Sequence, residues 1–207
     1  MVSEPTVFVI DDDVDARRAL TYLCESVGMA VRAFPSATDF LEVVRPGKWG
    51  CLLLDIRMPG MSGLELQEQL AGSGTDFAVV MVTGHADVPT AVRAMRAGAL
   101  DLVEKPFVPQ DLLDRVHHAL DVARARRAAR VAAARFAARL AQLTSREREV
   151  FDLLVVGRSA KQIGAALQLS HKTVQVHRAR ILEKINVGSV PELLCEAVGG
   201  GWHPTKS

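Results

Sequence analysis

The sequence predicts an α/β domain built on a doubly wound, five-stranded parallel sheet, followed by a small all-α domain. Three observations on the 207 residues lead to this prediction. Five short apolar runs alternate with amphipathic segments over residues 1–120, which is typical of parallel strands covered by helices on both faces. From residue 143 only short helices with capping sequences follow. The distribution of charge also changes near residue 120. Residues 1–120 contain ten Lys and Arg and 17 Asp and Glu, whereas residues 121–207 contain 15 Lys and Arg and seven Asp and Glu.

The predicted strands are apolar runs, several of them rich in β-branched residues, and most stop at a polar residue. They cover residues 7–10, 31–34, 51–54, 79–82 and 100–103. Helices are predicted over about 15–27, from 36, over 64–70 and 88–97, and from about 110. Gly28 and Gly98 follow the first and fourth of these helices, and glycine is common just after the C-terminus of a helix. Because every connection contains a helix, the strands are expected to be parallel.

The segment 121–140 contains nine Ala and six Arg and no Gly or Pro, so its helix propensity is high. Large apolar side chains are sparse, which favours a solvated helical linker over a dimerising coiled coil. The predicted domain organisation is therefore a first domain over 1–122, a linker over 123–141, a second domain over 142–200 and a disordered tail over 201–207.

The second domain is predicted to consist of four helices. Three capping boxes open three of them, at Thr144–Glu147, Ser159–Gln162 and Ser189–Glu192. The brief turn 168–170 joins the second helix to a longer basic helix over about 171–185. Two helices joined in this way are typical of a helix-turn-helix.

Composition excludes several classes of protein. No apolar stretch approaches the roughly 20 residues that cross a bilayer, and the first residues lack the features of a signal peptide, so a cytoplasmic location without membrane contact is expected. Cys24, Cys51 and Cys195 are odd in number and far apart, which argues against a disulfide framework or a cysteine zinc site and favours buried thiols. The net charge of about +8 after residue 120 suits a polyanion such as nucleic acid.

Polar residues at strand ends are the main functional signal of the first domain. Because the carboxyl ends of parallel strands share one edge, these residues are expected to meet in one crevice. They are Asp11, Asp12, Asp13, Asp55, Thr83 and Lys105. Carboxylates gathered there would repel one another unless a cation neutralises them, and oxygen ligands suit Mg²⁺. An aspartate beside a metal ion and an ammonium group is well placed as a nucleophile toward phosphorus.

Four segments carry a resemblance to a known family, namely 10–13 (IDDD), 54–60 (LDIRMPG), 82–85 (VTGH) and 104–107 (EKPF). They resemble the receiver domain of two-component response regulators, which implies a flavodoxin-like fold over about residues 5–122. The resemblance also implies that a sensor histidine kinase phosphorylates Asp55.

The resemblance assigns roles around Asp55. The implied Mg²⁺ site consists of Asp11, Asp12, Asp55 and the backbone carbonyl of Arg57, with Asp12 and Asp55 as direct ligands. Thr83 and Lys105 would bind phosphoryl oxygens, and the Lys105–Pro106 bond would be cis. Three residues before the lysine the family usually has Tyr or Phe, whose rotation accompanies movement of the threonine. Here that position is Leu102, so the expected switch pair is Thr83 with Leu102.

The second domain carries its own resemblance, through 143–150 (LTSREREV), 161–164 (KQIG) and 170–178 (SHKTVQVHR). These segments resemble the LuxR/FixJ-type DNA-binding domain, and its pairing with a receiver is the layout of FixJ/NarL-type transcriptional regulators. The implied partners are a sensor histidine kinase, double-stranded DNA, RNA polymerase and, after phosphorylation, a second copy of the chain. The chain would accept phosphate without being a turnover enzyme.

Helical periodicity divides the helix 171–185 into two faces. The expected packed stripe is Val174, His177, Ile181 and Ile185. The opposite face, expected in the major groove, contains Lys172, Gln175, Val176 and Ala179. Gln175 can bind adenine in a bidentate manner, and Val176 or Ala179 can contact a thymine methyl group. The side chains expected to reach phosphates are Lys161, Lys172, Thr173 and Arg180.

Two other functions remain possible from the residues alone. An aspartate-nucleophile phosphatase would use Asp11 or Asp13 to attack a small phosphoester, but it leaves Asp55 and the helix-turn-helix without a role. A constitutive DNA-binding protein would use the first domain only as a dimerisation scaffold.

Overall fold

The computed structural model describes residues 4–44, 47–71, 73–84 and 87–200, and the chain divides into two compact units, Met1–Arg127 and Ala128–Ser207. The predicted disordered tail, 201–207, lies outside the described residues. Within the described part, none of the helices combines the length and the apolar character that crossing a membrane requires.

The first unit contains a five-stranded parallel sheet in the order β2-β1-β3-β4-β5, which confirms the predicted α/β architecture. Its strands are β1 (Thr6–Ile10), β2 (Val31–Phe34), β3 (Trp49–Leu54), β4 (Asp76–Thr83) and β5 (Asp101–Glu104). Its helices are α1 (Val14–Ser26), α2 (Ala37–Val43), α3 (Gly63–Ala71), α4 (Val88–Arg96) and the first part of α5 (Pro109–Leu140).

The sheet has an apolar core on each face, because successive residues of a strand point to opposite sides. Phe8 and Leu52 belong to one core, and Val9 and Cys51 belong to the other. Every residue of β3 and β4 is buried, which explains why these strands are continuous apolar runs. Burial raises the pKa of the Cys24 thiol to about 11. The expectation of buried thiols holds for Cys24 and Cys51 but is wrong for Cys195, which is exposed on a helix of the second unit.

Helix α5 is continuous over 32 residues, and the boundary between the two units falls within it. Ala123 is buried in a core of the first unit, whereas Phe136 and Leu140 are buried in the core of the second. The predicted solvated linker over 123–141 is therefore too long, since only the middle of this segment is largely exposed. Of its large apolar side chains, Phe136 and Leu140 pack in a core, whereas Val131 is exposed.

The second unit is helical, as predicted. Besides the end of α5 it contains α6 (Ser145–Val155), α7 (Ala160–Leu167), α8 (His171–Ile185) and α9 (Val190–Gly199). The first two predicted capping boxes are formed at α6 and α7. The third is only half formed, because Ser189 caps α9 while the carboxylate of Glu192 accepts a hydrogen bond from the N–H of Gly188 at 2.8 Å.

Candidate metal centre and nucleic-acid interface

Four neighbouring strands of the first unit end at one edge of the sheet, each at or next to a predicted site residue. Asp11 follows β1, Asp55 follows β3, Thr83 is the last residue of β4, and Lys105 follows β5. Ile10 pairs with Leu54 in the ladder, so Asp11 and Asp55 leave the sheet at the same level. The sheet order therefore brings together residues that are far apart in the chain.

Three carboxylates form a compact cluster at this edge. One oxygen each from Asp11, Asp12 and Asp55 lies within 4.8 Å of the others. Asp11 and Asp55 are only 1% and 8% exposed, while Asp12 is exposed. Oxygen donors that are open to water on one side are the kind of ligand set that Mg²⁺ uses. The side chains present therefore fit the implied ion, and Arg57, whose carbonyl is the fourth predicted ligand, follows Asp55 by two residues.

The environment of Asp55 disfavours its ionised form. Burial raises its pKa to about 6, the charge of Lys105 opposes this shift, and the nearby carboxylates of Asp11 and Asp12 add to it. Desolvation and like charges both act in this direction. The cluster is thus arranged at a cost in free energy that a bound cation would remove.

Lys105 is paired with a carboxylate. Its Nζ lies 2.6 Å from Oδ2 of Asp11, and its backbone N–H donates to the carbonyl of Thr83 at 2.8 Å. The resemblance predicts that this ammonium group binds a phosphoryl oxygen, and in the structure it binds the buried Asp11. The peptide bond between Lys105 and Pro106 is cis, as expected from the resemblance.

Asp13 does not join the carboxylate cluster but caps helix α1. Its side chain accepts hydrogen bonds from the N–H groups of Asp15 and Ala16, at 2.8 and 3.1 Å. These bonds lower its pKa. An exposed carboxylate committed to a helix cap is poorly placed as a nucleophile, which weakens the phosphatase hypothesis based on Asp13.

Gly63 is a site residue that sequence reasoning missed. A Cβ atom there would lie 2.1 Å from the carbonyl oxygen of Asp55, a distance that no side chain tolerates. The N–H of Gly63 donates to the carbonyl of Ile56 at 3.1 Å. The start of α3 thus packs against the backbone that carries Asp55. The only signal in the sequence is a glycine after Met61-Ser62.

The predicted switch pair lies on adjacent strands. Thr83 is 1% exposed at the end of β4. Leu102, on β5, is partly buried and packs against the core that contains Phe8, and it pairs in the ladder with Met81. The switch role of Thr83 and Leu102 stays a prediction.

In the second unit, the predicted packed stripe of α8 is largely buried. Val174, Ile181 and Ile185 are fully buried in the core. His177 is half-buried, and its Nδ1 is enclosed without a hydrogen-bond partner among the described residues. The other face of the helix is consequently the one that is free to meet a partner.

Most of the predicted DNA contacts are exposed, and one is partly engaged. The exposed residues are Lys161, Lys172, Gln175, Val176, Ala179 and Arg180. Thr173 is half-buried, and its hydroxyl lies 2.8 Å from that of Ser170, the N-cap of α8. The structure thus keeps Thr173 within the first turn of the helix, where its hydroxyl has a partner.

The charges of the second unit divide between paired and unpaired groups. Arg139, Arg146, Arg148 and Lys184 each form an ion pair with an acidic side chain. Lys161, Lys172 and Arg180 have neither a hydrogen bond nor an ion pair with any residue that the structure describes. No Asp or Glu occurs in the sequence between Asp152 and Glu183. Helices α7 and α8 therefore present uncompensated positive charge, as a polyanion-binding surface requires.

Comparison with known families accounts for both units. Residues 7–117 match the response regulator receiver domain, and residues 141–197 match the luxR family of bacterial regulatory proteins. The chain belongs to the response regulators with a LuxR-type DNA-binding domain, which act as transcriptional regulators in two-component systems.

Individual relatives share this layout. The chain is 41% identical to the transcriptional regulatory protein FixJ of Azorhizobium caulinodans, over 96% of this chain and 94% of the relative. It is 40% identical to nodulation protein W of Bradyrhizobium diazoefficiens, over 91% and 83%. Among solved structures, the response regulator StyR aligns with a TM-score of 0.81 at 43% identity, covering 95% of this chain and 99% of StyR. Full-length FixJ from B. japonicum aligns with a TM-score of 0.58 at 36% identity, over 96% and 98%.

Proposed function

We propose that Asp55 is the phosphoacceptor through which a sensor histidine kinase controls this regulator. The observation that carries the proposal is the placement of Asp55 at a strand end, beside Asp11 and Asp12 and near Lys105. A carboxylate oxygen of Asp55 attacks phosphorus, the bond from phosphorus to the kinase histidine nitrogen breaks, and the nitrogen keeps the electron pair. An acyl phosphate on Asp55 is the product.

The neighbouring residues have separate roles in this transfer. Asp12 and Asp55 would hold Mg²⁺ directly, and the carboxylate of Asp11 and the backbone carbonyl of Arg57 would complete the site. The ion would supply positive charge to the phosphoryl oxygens. Lys105 exchanges its partner Asp11 for a phosphoryl oxygen, and the hydroxyl of Thr83 donates to another. Leu102 follows the movement of Thr83. The chain accepts and loses this group without turning over a separate substrate.

Phosphorylation is proposed to control dimerisation in the cytoplasm. Helix α4 exposes three apolar side chains, with Val88, Val92 and Met95 exposed by 76%, 43% and 49%. An apolar surface of this kind is typical of an interaction site. A dimer would present two DNA-binding units to two half-sites and, once bound, would contact RNA polymerase.

DNA recognition is proposed to use the exposed face of α8. Gln175 contacts a base edge, with Val176 and Ala179 against neighbouring groups of the major groove. Lys161, Lys172, Thr173 and Arg180 bind the phosphates. The exposed, unpaired cations of α7 and α8 support these assignments.

Labelling with radioactive acetyl phosphate in Mg²⁺ tests the phosphoacceptor. Asp55→Asn should abolish both the labelling and the dimer shift on gel filtration, since it removes the attacking oxygen. Asp15→Asn, which changes an exposed carboxylate on α1, is the control and should label normally. Labelling of Asp55→Asn would show that another acid is the acceptor. Turnover of a generic phosphoester that is lost in Asp11→Asn would instead favour the phosphatase.

Two substitutions test the DNA interface, with a duplex selected from a random pool by the full-length chain. Gln175→Ala should cost about 1–3 kcal/mol on that duplex and relax the preference at one base pair. Lys172→Ala should weaken binding to all sequences and reduce the salt dependence by about one phosphate. An unchanged salt slope in Lys172→Ala would contradict its proposed contact with phosphate.

A further inference from the structure

An open groove of about 580 Å³ lies between helix α7 and the beginning of helix α8. Small and apolar residues line it together with two basic residues. They are Ala160, Lys161, Gly164, Ala165, Leu169 and His171. Lys161 and His171 are both exposed, and neither side chain forms a hydrogen bond or an ion pair with the residues that the structure describes.

His171 is not needed to hold the helix it begins. The N-cap of α8 is Ser170, whose hydroxyl accepts the hydrogen bond of the Thr173 N–H at 3.0 Å. The imidazole is thus free of a capping role. A structural explanation for its position is lacking among the contacts of the described residues, which leaves the side chain available to a ligand.

The place of His171 on α8 relates it to the proposed base-reading face. Along an α-helix each residue turns by about 100°, so His171 lies only about 40° from Gln175 around the axis. The groove between His171 and Lys161 therefore borders the surface that is proposed to enter the major groove of DNA. In a helix-turn-helix the first helix crosses the DNA backbone at this border.

We infer that this groove receives one sugar–phosphate unit of the DNA backbone, and that His171 is a further DNA contact. The inference rests on the proposed DNA binding. A ring N–H of His171 donates to a phosphate oxygen while the ammonium group of Lys161 binds the same phosphate from α7. The apolar lining, including Ala165 and Leu169, contacts the deoxyribose. Because the stretch between Asp152 and Glu183 contains no acid, nothing in it repels the phosphate.

The backbone role predicts a particular pattern of binding losses. His171→Ala in the full-length chain should lower affinity for the selected duplex and for a random duplex by the same factor, about fivefold for one net hydrogen bond. His118→Ala, the same change at an exposed histidine of α5, is the matched control and should bind as the unmodified chain does. Circular dichroism melting shows whether each variant is folded.

A second arm identifies the phosphate. The selected duplex is made in versions that each carry a single methylphosphonate, which replaces a charged oxygen by a methyl group. At one position the modification should weaken DNA binding by the unmodified chain, and its effect in His171→Ala should be smaller, since the contact with His171 is already lost there and only that with Lys161 remains.

Each outcome has a defined meaning. Unchanged affinity in a folded His171→Ala, a loss confined to the selected duplex, or additive losses at every modified phosphate would overturn the inference, while the effects of Gln175→Ala and Lys172→Ala would still support the proposed function. If the unmodified chain selects no duplex, the proposed DNA recognition fails as well.

Discussion

At the scale of a single residue, the buried carboxyl group of Asp55 lowers the stability of the metal-free protein at neutral pH. Asp55 is 8% exposed and its pKa is raised from 3.8 to about 6, so the carboxyl group holds its proton more tightly in the folded chain than in the unfolded chain. The stability of the metal-free protein should therefore fall as the pH rises between about 4 and 6. Such a cost is common where a group is placed for function.

Replacing the carboxyl group of Asp55 by an amide tests this cost in the free energy of unfolding. Asp55→Asn should stabilise the metal-free protein by about 1–3 kcal/mol at pH 7.5, and the difference should vanish near pH 4. Urea unfolding followed by tryptophan fluorescence, with chelator present, measures it. Glu25→Gln, which removes an exposed carboxylate of α1, serves as the control. The hypothesis fails if Asp55→Asn is less stable at pH 7.5, or if Mg²⁺ stabilises both proteins equally.

At the scale of an element, the start of α3 is fixed by a backbone contact. Gly63→Ala would gain at most about 1 kcal/mol of helix propensity. The new Cβ would lie 2.1 Å from the carbonyl oxygen of Asp55, so the cost of this steric overlap outweighs the gain in helix propensity. We expect destabilisation of about 1–3 kcal/mol and slower labelling by acetyl phosphate, because the loop after β3 must shift.

Gly84→Ala is the matched control for stability. A Cβ atom there would meet no heavy atom of the described residues within 4 Å. A thermal melt should therefore show Gly84→Ala close to the unmodified chain and Gly63→Ala well below it. Equal melting temperatures for the two variants would show that the contact at Asp55 relaxes without cost.

The elements of this fold were predictable where local physics determines them. The strands β1, β3 and β4 are apolar runs because they are buried on both faces. Several helix N-termini are recognisable from short patterns of polar capping residues. The first residues of β3 and β4, Trp49 and Asp76, were missed because pairing with a neighbour extends each strand through residues of low β propensity, Gly50 in β3 and Ala78 in β4.

The sequence predicted which residues form the candidate site but not the contacts that these residues make. The order of strand ends identifies Asp11, Asp55 and Lys105, since parallel strands must finish at one edge. That Lys105 binds Asp11 and that Gly63 touches the backbone of Asp55 depend on distances of a few ångströms, which no pattern of residue types encodes. The same holds for the packing of Phe136 in the predicted linker.

At the scale of the whole molecule, the proposed function requires that phosphorylation of the first unit changes the affinity of the second unit for DNA. With Mg²⁺ and acetyl phosphate, affinity for a duplex with two half-sites should rise about tenfold or more, because the second contact of a dimer is effectively intramolecular. Fluorescence anisotropy of the labelled duplex measures this change. Asp55→Asn should show no gain. Equal affinity of the unmodified chain with and without acetyl phosphate would instead support constitutive DNA binding.

The ion pair between Lys105 and Asp11 has a consequence for the charge balance of the proposed phosphoacceptor site. At neutral pH the three carboxylates and this one ammonium group leave an excess of two negative charges, which one divalent cation balances and a monovalent ion does not. Converting the Asp55 carboxylate to an acyl phosphate adds one more negative charge to a balanced pocket. Hydrolysis of the proposed acyl phosphate would therefore relieve an excess of negative charge in the pocket.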